Sequence, residues 1–344
     1  MSNPLVSVIM PVYNCVAFVD EAIESMVNQT YSNLEIFIID DCSTDGTKEK
    51  LEQWAKLDIR IKPIYKAENT GYVESLNMAI GLSNGDYIAR MDGDDISLPE
   101  RIEKQVKYMA SHLEVGVLGG GYKFLGTNKI LIPIVEHDKI KIGLLNESQL
   151  AHPTVMFRAS MLKKLDRLYK TEFIPCEDYE FWIYLSSKTI LHNLNDILLE
   201  YRLHDSNTSK SMNIKLILDT IVKIQLEELL PSVSIDYAFF FRNIISLKYL
   251  EHHIADINVY LDNLYDIYDM NNKKFIYDNI EFRIFTTNIG AIVMKKYGRK
   301  NILKNTSVNS FSKLKWILIT VILSKLNLKY DFCQFEVIDS PEFE

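Results

Sequence analysis

Short apolar runs alternate with amphipathic stretches over the first hundred residues. Val6-Ser7-Val8-Ile9-Met10 reads as a strand. Val19, Ala22, Ile23, Met26 and Val27 then recur at spacings of three and four, one face of a helix. Ile36-Phe37-Ile38-Ile39 is a continuous β-branched and aromatic run, as expected of a strand buried on both faces. The alternation goes on with a helix from Thr47 to Lys56, a strand from Ile59 to Tyr65, a helix face of Val73, Leu76 and Ile80, and a strand over Tyr87–Met91. Ser97 and Glu100 stand at capping-box spacing before a helix whose Ile102, Val106 and Met109 share a face. This order predicts an α/β fold with a mainly parallel sheet covered on both sides by helices. Sites in such sheets lie beyond the carboxyl ends of the strands. Chemistry is therefore expected just after Met10, Ile39 and Met91.

Further along, strand-like runs at Val115–Leu118 and Leu194–Leu203 surround a helix from Tyr179 to Ser187. From Asn213 onward the pattern is helical, with Leu250, Ile254, Ile257, Leu261, Leu264 and Tyr268 at spacings of three and four. Asn, Ser, Thr and Lys cluster over Ser206–Asn213 and mark a boundary. The expected organisation is an α/β domain over 1–210, in halves 1–105 and 106–210, and a helical region over 211–344.

Composition changes the picture little. Hydrophobic residues make up 47% of the 344, enough for a core that can hold a buried site. Met1-Ser2-Asn3-Pro4 carries neither a basic nor an apolar leader region, so a secretory signal is not expected. Cys15, Cys42, Cys176 and Cys333 are scattered without C-x-x-C spacing. That predicts no disulfide frame or zinc site and fits a reducing cytoplasm. Charge matters more. The net charge is −8, yet 288–330 holds no acid and nine bases, which leaves −17 for the rest. A basic block of this kind seeks an anionic surface. The run Trp316–Leu323 inside it is too short to span a bilayer and is flanked by Lys313, Lys315, Lys325 and Lys329. Two readings stay open: a helix lying on an anionic membrane through 295–329, or one packed on the protein. The block lacks interleaved motifs, so nucleic acid is not expected as a partner.

The polar clusters fall at the expected strand ends. Met91-Asp92-Gly93-Asp94-Asp95 crowds three carboxylates into four positions. In extended chain Asp92 and Asp94 face one side. Their repulsion calls for a positive partner, and a hard divalent cation, Mn²⁺ or Mg²⁺, suits carboxylate oxygens. Asp40-Asp41-Cys42-Ser43-Thr44-Asp45-Gly46 follows the second strand. Ser43, Thr44 and Asp45 serve as ordinary helix caps, and Asp40 and Asp41 are less easily explained so. Pro11-Val12-Tyr13-Asn14 follows the first strand, where Pro11 is expected to end pairing and Tyr13 offers a face for stacking. Asn69-Thr70-Gly71 precedes a helix whose start could meet a phosphate.

In their order and spacing, V-S-V-I-M-P-V-Y-N, I-I-D-D-C-S-T-D-G-T, E-N-T-G-Y and G-D-Y-I-A-R-M-D-G-D-D resemble family 2 glycosyltransferases of the GT-A fold over residues 5–105. The likeness continues more weakly to residue 210. I-A-R-M-D and His152-Pro153-Thr154-Val155-Met156-Phe157-Arg158 resemble members that build bacterial surface polysaccharides. The resemblance implies that Pro11, Tyr13 and Asp41 hold the nucleotide base. Asp92 lies near ribose, and Asp94 ligates a metal bridging the diphosphate. Cys176-Glu177-Asp178-Tyr179 matches the E-D motif, so Asp178 is implied as general base; read alone, the pair could simply cap a helix. Arg202 is implied at the diphosphate, with His204 and His152 as softer candidates for the metal.

The implied activity is inverting transfer from a nucleotide-diphosphate sugar, commonly a UDP-sugar, to a hydroxyl of a glycan or lipid-linked glycan. A cytoplasmic enzyme, peripheral at the inner face of the plasma membrane, would suit that acceptor. Two alternatives stand beside it. A metal-dependent nucleotidyltransferase would need a Gly-rich phosphate loop after the first strand, and Pro11-Val12-Tyr13-Asn14 supplies none. An inactive nucleotide- or sugar-binding module would not need the full set of carboxylates.

Overall fold

The computed structural model describes residues 3–204, 214–231, 233–234, 256–297, 316–321 and 336–339, with single positions at 236, 238 and 313. The chain divides into two compact units. One comprises Met1–Ile140, Ser148–Ser211 and Gln334–Glu344; the other comprises Lys141–Glu147 and Met212–Cys333.

The first unit is built on one ten-stranded sheet. Its parallel part runs in the order β3 (Ile61–Tyr65), β2 (Leu34–Asp40), β1 (Val6–Val12), β4 (Tyr87–Arg90). Helices α1 (Val19–Val27), α2 (Thr47–Leu57) and α3 (Tyr72–Leu82) make the crossovers. Every residue of β1 and β2 is buried, as expected of mostly apolar strands covered on both faces; the buried Ser7 and Glu35 are hydrogen-bonded to each other at 2.6 Å. Past β4 the sheet becomes mixed. β8 (Met156–Arg158) pairs antiparallel with β4, and β6 (Val115–Phe124) antiparallel with β8. β7 (Lys129–Ile132) and β10 (Glu336–Asp339) extend that side, both antiparallel. β9 (Ile190–Tyr201) runs parallel to β6 and also pairs with the short β5 (Ile96–Ser97). The remaining helices of this part of the chain are α4 (Arg101–Ser111), α5 (His137–Gly143), α6 (Ala159–Leu162) and α7 (Glu177–Ser186).

Several elements differ from the sequence pattern, each for a local reason. β1 does not stop at Pro11: Pro11 and Val12 pair in register with Ile39 and Asp40 of β2. Pairing with β4 has already ended at Ile9↔Arg90, so the missing N–H of Pro11 costs no ladder bond on that side. Ile59 lies outside β3 and is 94% exposed. It sits in a turn where the Asp58 carboxylate accepts from Arg60 N at 2.9 Å and from its guanidinium at 2.6 Å. β6 runs on through Gly119-Gly120-Gly121, which hide a strand from any apolar pattern. A Cβ at Gly120 would meet Leu198 Cδ1 at 2.4 Å, so β9 can lie this close only against glycine. Ser97 and Glu100 form no capping box, because Ser97 belongs to β5. Gln29 caps α4 from a distance instead, its Oε1 accepting from Ile102 N at 3.1 Å. Strand β10 stands in a region the pattern reads as helical.

The second unit contains α8 (Ile214–Glu227), α9 (Asp256–Lys274) and α10 (Asn279–Tyr297). Leu226, Leu264, Phe282, Phe285 and Trp316 are buried in its core. Asn271 fastens the turn between α9 and α10, accepting from Tyr277 N at 2.8 Å and donating to Tyr277 O at 3.1 Å. The boundary stretch 206–213, Leu250, Ile254 and most of 295–329 lie outside the described residues. Within that basic stretch, Trp316 and Ile317 are buried. Lys313, read from sequence as a flanking cation, is buried too and pairs with Asp262 at 2.8 Å. Among the described residues no helix is long and apolar enough to cross a membrane.

Candidate active site

The carboxyl ends of β1 and β2 lie side by side and are laced together beyond the strands. Asp41 N donates to Val12 O at 2.9 Å. Asn14, in the left-handed region at φ 48°, donates its N–H to Ser43 Oγ at 2.9 Å and accepts from Thr44 N at 2.8 Å. Asp45 accepts from both Val16 N and Thr47 N at 3.0 Å, so it caps α2 and grips the first loop together. Pro11 is buried in β1, whereas Tyr13 stands 51% exposed at the rim with its ring available.

Asp41 is buried, and its carboxylate organises the turn before α3. Oδ1 accepts from Lys66 Nζ and from Thr70 N at 3.0 Å; Oδ2 accepts from Gly71 N at 2.8 Å. Lys66 is buried beside it. The amides at this helix start thus meet a resident anion, where the sequence suggested a phosphate. A carboxylate has about four acceptor positions, so Oδ2 keeps room for a further donor.

The acidic loop follows β4. Asp92, Asp94 and Asp95 each bring an oxygen within 4.8 Å of the others. Gly93 lets the loop press on β1, since a Cβ there would meet Val12 Cγ1 at 2.7 Å. The positive partner that the repulsion demands is partly built in, because the guanidinium of Arg90 pairs with Asp92. Arg90 and Asp92 are two apart in extended chain, so they share a side. His204 Nε2 lies 2.7 Å from Asp94 Oδ2. Arg202 donates Nε to Asp94 O at 2.8 Å and its backbone N–H to Asp95 Oδ1 at 2.9 Å. Burial raises the Asp95 carboxyl to about 8, and the charges of Asp92 and Asp94 add to this. Its Oδ2 is buried without a hydrogen-bond partner among the described residues. An all-oxygen donor set with one orphaned carboxylate oxygen fits a hard divalent cation.

The Glu177-Asp178 pair opens α7. Its two members differ. Glu177 is 3% exposed and accepts from Tyr72 Oη at 2.6 Å. Asp178 is only half-buried and accepts from Tyr179 N at 2.7 Å. Burial pushes Asp178 up to about 6; the Tyr179 hydrogen bond and the Arg90 charge oppose it, and Asp92 adds to it. Glu177 rises to about 7, through burial first and the Asp178 charge second. Asp178 therefore senses both Arg90 and Asp92, which puts the E-D pair in the electrostatic neighbourhood of the acidic loop.

His152 is placed differently from Asp92, Asp94 and Asp95. It is buried, and Nε2 is hydrogen-bonded to Tyr169 Oη at 2.9 Å while Nδ1 faces Glu177 Oε1 at 3.9 Å. Burial and the nearby Arg90 charge hold its pKa well below the usual value, so the ring is neutral. It lies against the segment that carries Glu177 and Asp178 and is not among the acidic cluster of Asp92, Asp94 and Asp95. Nothing in the pattern singles out Lys66 or Tyr72, which partner Asp41 and Glu177. The Arg90 spacing to Asp92 was a usable signal; Tyr72 and Glu177, 105 positions apart, offered none.

A family model described as glycosyl transferase family 2 matches residues 7–176. A Haemophilus influenzae glycosyltransferase is 35% identical over 320 residues, 86% of this chain and 97% of that protein. An Escherichia coli relative, UDP-Glc:alpha-D-GlcNAc-diphosphoundecaprenol beta-1,3-glucosyltransferase WfgD, is 29% identical over 61% of this chain and 82% of its own length. Among solved structures, Staphylococcus aureus TarS 1–349 in complex with UDP-GlcNAc superposes with a TM-score of 0.56 at 19% identity, covering 94% of this chain and 91% of that one. That likeness gives the GT-A fold. With strand-end motifs, sheet order and a near full-length relative in agreement, the chain belongs to glycosyltransferase family 2.

Proposed function

We propose that the enzyme transfers a sugar from a nucleotide-diphosphate donor, a UDP-sugar, onto an acceptor hydroxyl with inversion at the anomeric carbon. The acceptor class is a growing surface polysaccharide or a lipid-linked oligosaccharide, as in the name of the WfgD relative. One observation carries this reading. Just past β4, Asp92, Asp94 and Asp95 bring oxygens within 4.8 Å of one another, a donor set for the cation that a departing diphosphate needs.

Asp95 apart, the residue roles are those that the family resemblance implies. Tyr13 stacks on the base, Pro11 forms the floor beneath it, and Asp41 accepts a hydrogen bond from the base edge. Asp92 faces the ribose. Asp94 and Asp95 would hold Mn²⁺ or Mg²⁺, with His204 against Asp94 and Arg202 facing the diphosphate. When bound, such a cation neutralises charge that develops on the departing diphosphate. Asp178 takes the proton from the acceptor hydroxyl as its oxygen attacks. A pKa near the working pH is what a general base needs. Glu177 is the poorer candidate, being more deeply buried and already committed to Tyr72.

The test is donor hydrolysis across UDP-, GDP- and dTDP-sugars, with Mn²⁺ and with EDTA. Release of UDP from one UDP-sugar, abolished by EDTA, is expected. Equal turnover in EDTA sinks the metal role, and no turnover of any nucleotide sugar sinks the activity.

A further inference from the structure

We propose that Tyr72 is a positioning residue for the transfer step. Its phenol locks Glu177, and so fixes the adjacent Asp178 as the carboxylate that meets the acceptor. The proposal rests on the reading of Asp178 as general base.

Two contacts tie the segment that carries Glu177 and Asp178 to helix α3, and His152 adds to them from another side. Tyr72 Oη donates to Glu177 Oε2 at 2.6 Å. Asn77, one and a half turns on, donates Nδ2 to Tyr169 O at 2.9 Å. Tyr169 Oη in turn engages His152 Nε2 at 2.9 Å, and His152 Nδ1 faces the other Glu177 oxygen. Glu177 is thereby held by a hydrogen bond on Oε2, with the neutral His152 ring 3.9 Å from Oε1, in a segment whose Tyr169, Phe181 and Trp182 are all buried.

The chemical nature of the clamp matters. Two adjacent carboxylates with little solvent repel, and an unheld Glu177 would compete with Asp178 for proton and acceptor. A lysine or arginine would hold Glu177 as firmly, but its charge would pull both carboxylates down and weaken the base. A phenol restrains by direction and adds no charge. Burial and the Glu177 charge keep the Tyr72 hydroxyl far above its usual pKa, so it remains a donor.

The placement of Tyr72 adds a second consequence. It follows directly on Thr70 and Gly71, whose N–H groups grip Asp41. One turn is therefore fastened on one side to the residue assigned to the nucleotide base and on the other to the E-D pair. Small displacements of a reacting pair, about 1 Å, can cost about 100-fold in rate. Loss of the clamp should appear in turnover more than in nucleotide affinity.

The experiment uses the full chain with Tyr72→Phe, Glu177→Gln and the double variant. It measures kcat and KM for hydrolysis of the UDP-sugar found in the screen, UDP binding by calorimetry, and thermal melting. Tyr72→Phe is expected to lower kcat about 10-fold or more and leave the UDP Kd within about twofold. The double variant should be no slower than the slower single variant, because both substitutions break one unit. Unchanged kcat, an equal loss of UDP affinity, or single effects that multiply in the double variant would each overturn the proposal. Should Tyr72→Phe melt below the assay temperature, Glu177→Gln decides alone: a lowered kcat with UDP Kd within about twofold supports the clamp, and an unchanged kcat overturns it. Asp178→Asn in the same assay separates the two ideas. If it hydrolyses donor at the wild-type rate, the base assignment fails; if it is dead while Tyr72→Phe is fully active, only the clamp fails.

Discussion

Two pairs of neighbouring carboxylates face the proposed reaction, and they are held in opposite ways. Asp92 and Asp94 are met by side chains that carry or can carry positive charge, Arg90 and His204. Glu177 and Asp178 are met by neutral donors, the Tyr72 phenol and the Tyr179 amide. A cationic partner favours the ionised form, though at Asp92 burial outweighs Arg90 and the carboxyl is still raised. At Glu177 and Asp178 burial raises the carboxyls to about 7 and about 6, and the neutral donors oppose it only in part. The sequence signature, acids crowded at the end of an element, is the same in both. In the proposed reading the first pair serves a cation and the second moves a proton.

The sharpest way to break this contrast is to remove one carboxylate from each pair. Asp178→Asn should lower transfer about 10²–10⁴-fold, the usual worth of general-base help, with UDP binding close to wild type in a calorimetric titration. Asp94→Ala should show the reverse pattern. Mn²⁺ binding, followed by electron paramagnetic resonance, should weaken by more than about 100-fold, since even outer-shell partners of metal ligands are worth about 10–100-fold. If both variants lose cation and nucleotide binding alike, the pairs form one site and the contrast falls.

A pH profile separates them next. A base must be ionised to act, and the Asp178 carboxyl is raised to about 6. Turnover should rise with pH through that value, falling about tenfold per unit on the acid side. Because Glu177 next to it sits at about 7, the limb belongs to the coupled pair and will be broader than a single titration. A profile already flat down to pH 4.5 would mean that the pair is solvated and ordinary.

How much of this could be read from the chain alone depends on sequence distance. The parallel half was legible because β1 and β2 are buried on both faces and so spell themselves as mostly apolar runs. The acidic loop was legible because its three carboxylates lie within four positions. β6 was cut short at Leu118, because Gly119-Gly120-Gly121 carries no side chain to show a period. The fit against Leu198 that explains those glycines lies some eighty residues away. The surroundings of His152 were hidden for the same reason. Its role is set by Tyr169 and Glu177, and neither contact leaves a mark at His152 itself. Asp41 could be picked out by type, but Lys66 and the Thr70 and Gly71 amides, which use most of its acceptor capacity, could not.

The smallest expected effect tests whether the cationic side of the contrast is itself braced. His204 stacks on Phe18 with ring centroids 5.0 Å apart and an interplanar angle of 22°, and the Arg202 guanidinium lies 5.0 Å from the same ring. Glu21, one turn along α1, pairs with Arg202 at 2.6 Å. Phe18 thus touches both residues that reach the acidic loop from the end of β9, while contacting no carboxylate of the loop among the hydrogen bonds and ion pairs described. An exposed cation–π contact is worth about 0.5–1 kcal/mol, which corresponds to roughly two- to fivefold in binding. Phe18→Leu should therefore weaken Mn²⁺ binding by roughly that factor, and Phe18→Tyr should restore it, with turnover at saturating Mn²⁺ unchanged in both. A loss of turnover that saturating Mn²⁺ does not recover would show that Arg202 and His204 act on the reacting diphosphate directly, so that the two carboxylate pairs share their supports and the division between them is one of degree.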